Sequence, residues 1–92
     1  MGRKEKPLDD TGAGTLAGFA AGLRKVRRNA GSPSYRSMAE KTHFSLATLS
    51  RAAGGNVLPS AEVVAGFVGA CGGDVAAWLA ERERIKVLLE GD

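Results

Sequence analysis

The 92-residue sequence predicts an all-α fold, a compact bundle of five helices, on three observations. Apolar residues recur at helical spacing in five separate stretches. Each stretch opens behind a Ser, Thr or Asp able to cap a helix, and three of them run into glycine. No stretch sustains the apolar–polar alternation of a strand, and no segment repeats.

Residues 1–14 carry Pro7, Gly12, Gly14 and mixed charge without an apolar period, the composition of a flexible arm. The domain proper is expected from 15 to 92. Thr15 caps a first helix, Leu16 to Asn29, whose apolar residues fall at Leu16, Phe19, Ala20, Leu23 and Val26; Gly31 and Pro33 stop it. Ser34 caps a short second helix through Tyr35, Met38 and Ala39 to about Lys41, and Thr42-His43-Phe44 breaks the period. Ser45 caps a third, Leu46 to Ala53, closed by Gly54-Gly55. Ser60 caps a fourth, with Val63, Val64, Phe67, Val68 and Cys71 on its apolar side and Gly72-Gly73 at its end. Asp74 caps a fifth, about 75–90, striped by Val75, Trp78, Leu79, Ile85, Leu88 and Leu89. Gly18, Gly22, Gly66 and Gly69 sit inside helices at about 1 kcal/mol each relative to alanine, which predicts close helix–helix approach there. Trp78 is expected to plug the core.

Length and composition bound the function. A chain of this length builds one modest core, without a second lobe or a deep cleft. With 43% apolar and 25% charged residues it is an ordinary globular chain, which excludes wholesale disorder. The longest apolar runs fall far short of the roughly 20 residues that cross a bilayer, and the opening residues do not form a signal peptide. Cys71 has no second cysteine and fits a reducing cytosol. No enzyme signature is present: Gly12-Ala13-Gly14 precedes no phosphate-loop lysine, and His43 has no carboxylate partner at catalytic spacing. His43 is read as a surface turn residue, Cys71 as a small core residue, and neither cofactor nor metal nor small-molecule substrate is expected.

Charge is segregated. From Arg24 to Arg51 there are seven basic residues and one acid, Glu40, net +6. The 23 residues before are neutral, and the 41 after are net −3. Such a basic middle third is the footprint of a surface that faces a polyanion. Helices two and three coincide with it, and they meet the requirements of a helix-turn-helix. Ala39 is the small residue midway along the first of the pair. Met38, Phe44, Leu49 and Ala52 are apolar anchors, and Ser45 starts the second helix sharply. Leu46, Ala47, Thr48 and Arg51 then face outward as candidate base contacts, with Arg51 assigned to guanine or, alternatively, a phosphate. Candidate phosphate contacts are Tyr35 and Arg36 at the start of helix two, Arg24 and Arg28 on helix one, Asn56, and the caps Ser34 and Ser45, whose helix starts offer N–H groups.

The runs Ser34-Tyr35-Arg36-Ser37-Met38-Ala39, Phe44-Ser45-Leu46-Ala47-Thr48-Leu49-Ser50-Arg51-Ala52-Ala53-Gly54-Gly55 and Leu58-Pro59-Ser60 resemble the Cro and phage-repressor (XRE-like) helix-turn-helix superfamily. With Ala70-Cys71-Gly72-Gly73-Asp74 and Trp78 the likeness is nearest the branch frequent in actinomycete proteins, and it spans about Leu16 to Leu79. It implies sequence-specific binding of double-stranded DNA, usually for transcriptional regulation, and hence a place in the cytoplasm at the nucleoid. Three features depart from the family. His43 stands where the turn often has glycine, so a left-handed backbone there is strained or avoided. Leu46 and Ala47 cannot hydrogen-bond a base edge and can meet only thymine methyls. Arg28 stands where members pair an arginine with an acid, here Ala53, and is left free. The rival reading is a protein-interaction adaptor on the same scaffold, or the N-terminal module of a larger regulatory protein. Ile85, Leu88 and Leu89 lie beyond the likeness and are candidates for a homodimer contact through helix five.

Overall fold

The structure is a computed structural model that describes residues 15–90. The arm expected over 1–14 lies outside the described residues, as do the last two residues of the domain. Among the described residues there are five α-helices and no strand: α1 Leu16–Asn29, α2 Tyr35–Glu40, α3 Leu46–Ala52, α4 Ala61–Ala70 and α5 Val75–Glu90. The all-α fold and its helix count are those the sequence predicts, and α2 and α3 end one residue earlier than expected, on Lys41 and Ala53 as C-caps.

The helix starts are built by side chains. Thr15, Ser34, Ser45, Ser60 and Asp74 each accept a hydrogen bond from the backbone N–H three residues on, at 2.9 to 3.2 Å. Each satisfies one donor that the first turn would leave without a partner. α1 and α4 stop alike. Gly31 and Gly72 take the left-handed conformation, φ +92° and +73°, and the following N–H reaches back across the last turn, Ser32 to Arg27 O and Gly73 to Val68 O, both at 2.9 Å.

α4 is the helix the others pack around, in contact with α1, α3 and α5. Its Val63, Val64, Phe67 and Val68 are buried against Phe19 and Leu23 of α1, Met38 of α2, Leu49 and Ala52 of α3 and Ile85 of α5. Full burial of each large side chain contributes about 1.5–3 kcal/mol. Two interior glycines let elements approach. A Cβ on Gly22 would lie 2.5 Å from Trp78 Cη2, and one on Gly66 would lie 3.0 Å from Phe44 Cε2. Trp78 meets Phe19 edge-on with ring centroids 5.3 Å apart, closing α5 over α1.

α5 outlasts its neighbour. Arg82 Nε donates to Pro59 O at 2.7 Å, so Arg82 stands level with the start of α4. One turn later Ile85 is fully buried, 0% exposed. This corrects the expectation that Ile85 is free for a second copy: the stripe Val75, Trp78, Leu79, Arg82, Ile85 runs unbroken onto the core, with the Arg82 head turned out to a carbonyl. Beyond Ile85, no apolar residue of α5 is buried, and Val87, Leu88 and Leu89 are 62%, 53% and 51% exposed. Among the described residues no helix is long and apolar enough to cross a membrane.

Candidate nucleic-acid interface

α2, α3 and the residues between them form a unit fastened by short bonds. Lys41 and Thr42 N–H groups donate to Met38 O and Ala39 O at 3.1 and 3.2 Å, carrying the chain off the end of α2. The Thr42 hydroxyl accepts from Phe44 N–H at 3.1 Å, a side-chain turn that replaces one made by backbone alone. Phe44 then packs on the core beside Gly66, and exposed His43 lies with its ring 4.5 Å from that of Phe44. Among the described residues other than glycine only Ser32 has positive φ. The left-handed residue is therefore avoided at His43, because Thr42 closes the turn.

α3 divides cleanly. Leu49 and Ala52 are buried, while Leu46, Ala47, Ser50 and Arg51 are exposed. Positions i, i+1, i+4 and i+5 share one helix face, so these four make a single outward edge. Thr48 is not on it. It is half-buried, its hydroxyl accepts from Ser45 O–H at 3.0 Å, and it lines a hollow of about 200 Å³ with Arg51, Val57 and Leu58. Ser50, which the sequence reading passed over, takes the outward place; its four-residue spacing from Leu46 was the available signal.

The cations fall into two groups. Arg24 Nη1 donates to Ala53 O at 2.5 Å, and Arg27 Nε donates to Pro33 O at 2.7 Å with its guanidinium 4.5 Å above the Tyr35 ring. These two tie the basic end of α1 to the end of α3 and to the start of α2. Lys25, Arg28, Arg36, Lys41 and Arg51 are exposed and make no hydrogen bond or ion pair to another described residue. Of the candidate phosphate contacts, Arg28 and Arg36 thus have no partner among the described residues, whereas Arg24 is engaged. It is Arg24, one turn earlier than Arg28, that reaches the position of Ala53, at its backbone oxygen. Ser34, Ser45 and Asn56 are exposed; Tyr35 is half-buried, 6.3 Å from the Phe67 ring.

Two other features lie off this edge. A hollow of about 520 Å³ behind the turn is lined by Phe44, Ala65, Gly66 and Gly69 with Lys41, His43 and Glu62 among its polar residues, and no α3 residue lines it. Cys71 caps the end of α4, where burial raises its thiol pKa against the opposing pull of Arg27 and Lys41. No protein-family model, no curated protein and no solved structure matches the chain.

Proposed function

We propose that the chain is a sequence-specific DNA-binding protein, a transcriptional regulator, in which α2 and α3 act as a helix-turn-helix and α3 enters the major groove. One observation carries this reading: α3 offers a single exposed edge, Leu46, Ala47, Ser50 and Arg51, and Lys25, Arg28, Arg36 and Lys41 of the preceding elements are likewise exposed with no partner among the described residues. Charges left unpaired by the fold are available to phosphate. A helix of 7 residues is about 10 Å long, and a major groove about 12 Å wide admits a helix end-on or along its length. In this reading Arg28 and Arg36 hold phosphates, the N–H groups behind Ser34 and Ser45 and the amide of Asn56 assist, and Arg51 reaches a guanine. Thr48 supports the helix start from the flank. The site of action is the nucleoid, and two copies associate weakly through the end of α5.

The apolar character of Leu46 and Ala47 favours the rival, an adaptor that presents this edge to a protein. Titration against duplex DNA by fluorescence anisotropy at low and physiological salt separates the two. Each neutralised phosphate contributes about −0.9 to the slope of log K against log salt, so four or five contacts give a slope of roughly −4. An affinity indifferent to salt, or no binding to duplex at low salt, rejects the DNA reading in favour of the adaptor.

A further inference from the structure

The outward edge of α3 sets two chemistries side by side. Its first turn carries Leu46, 45% exposed, and Ala47, which have no side-chain hydrogen-bonding atom. One turn on stand Ser50 and Arg51, the latter with all its guanidinium donors free of described partners. Base edges in the major groove are donors and acceptors almost throughout; the exception is the C5 methyl of thymine. A leucine set against a polar edge strips its water and returns no hydrogen bond, which is unfavourable. Against a methyl it buries carbon on carbon. The first turn therefore selects a 5-methylpyrimidine and rejects the other bases, while Arg51 matches the paired acceptors O6 and N7 of guanine. The Ser50 hydroxyl both donates and accepts and discriminates little. Five residues separate Leu46 from Arg51, about 7.5 Å along the axis, or roughly two steps of 3.4 Å along a strand.

Resting on the reading that α3 enters the major groove, we infer that its target is a step in which a 5-methylpyrimidine lies within about two base pairs of a guanine, the methyl held by Leu46 and Ala47 and the guanine by Arg51. The methyl group, not the identity of the pyrimidine, defines the class, so 5-methylcytosine serves in place of thymine.

The test uses the full chain and a duplex selected from a random pool by binding at low salt. Each thymine in turn is replaced by deoxyuridine, which differs only by the methyl. Affinity is expected to fall about fourfold at one or two positions near a guanine, since a buried methyl-sized group contributes about 0.8 kcal/mol and 1.4 kcal/mol is tenfold. At those positions a 5-methylcytosine·guanine pair restores binding and an unmethylated cytosine·guanine pair does not. Leu46→Ser, an exposed change checked for folding by circular dichroism, shrinks the thymine-to-uridine ratio. Uridine tolerated at every thymine of a duplex that still binds overturns the methyl reading and leaves DNA binding standing. Failure to select any duplex removes both.

Discussion

Arg51 is the sole cation of α3 and has no internal partner among the described residues, so its removal tests recognition without disturbing the fold. Arg51→Ala is expected to weaken a selected duplex by about 1–3 kcal/mol while leaving thermal stability within about 0.5 kcal/mol of wild type. Competition assays against random duplex give the decisive comparison. A loss confined to the selected sequence assigns Arg51 to a base, and equal losses on both reassign it to a phosphate. Arg24 differs although it also lies in the basic third. Its guanidinium is spent on the Ala53 carbonyl at the end of α3, where a cation also meets the negative end of the helix dipole. A change there moves stability as well as affinity and is a poor probe of phosphate contact.

At the scale of the helices, the two glycines 22 and 69 separate close approach from mere tolerance. Alanine in a helix interior is favoured over glycine by about 1 kcal/mol. At Gly22 the added methyl would come within 2.5 Å of Trp78, whose ring is itself held edge-on by Phe19; overpacking of that kind costs about 1–3 kcal/mol. At Gly69 the methyl meets only Val75 Cγ2 at 3.8 Å, ordinary contact. Gly22→Ala should therefore lower the melting temperature and alter Trp78 fluorescence, and Gly69→Ala should raise it. Stabilisation by Gly22→Ala with unchanged fluorescence would show that the ring gives way freely.

Most of this level was legible in the chain. Five cap residues fix five helix starts by local geometry alone, since each side chain needs only a backbone N–H three residues away. Two things were not legible, and both depend on distant residues. Ile85 continues a helical stripe through Arg82, but only the Pro59 carbonyl, 23 positions earlier, explains how a charged residue can sit in that stripe. The outward face of α3 keeps Leu46, Ala47 and Arg51 but exchanges Thr48 for Ser50, because Thr48 is drawn to Ser45 and the loop at Val57.

At the scale of the molecule, the proposed contact between two copies rests on the end of α5. Helical spacing from buried Ile85 continues through Leu88 and Leu89, and α4 has no residues left to meet them. Substituting Ile85 itself would test folding, since it is a core side chain. The free end spans five residues beyond Ile85, about 7.5 Å, and offers Val87, Leu88 and Leu89. Three half-exposed side chains per copy cannot reach the roughly 1,200–2,000 Å² total that a stable interface buries. Under the proposed function, self-association through this end would therefore be weak in solution and would gain force only where DNA raised the local concentration of a second copy. The expected behaviour is a monomer that dominates sedimentation at low micromolar concentration and binds cooperatively to two half-sites spaced about 10 base pairs, one helical turn of roughly 34–36 Å. Leu88→Asp with Leu89→Asp, both exposed, should abolish the cooperativity and leave affinity for a single half-site unchanged. Cooperativity that survives the double substitution, or that ignores the spacing of the half-sites, would place the contact elsewhere on the molecule.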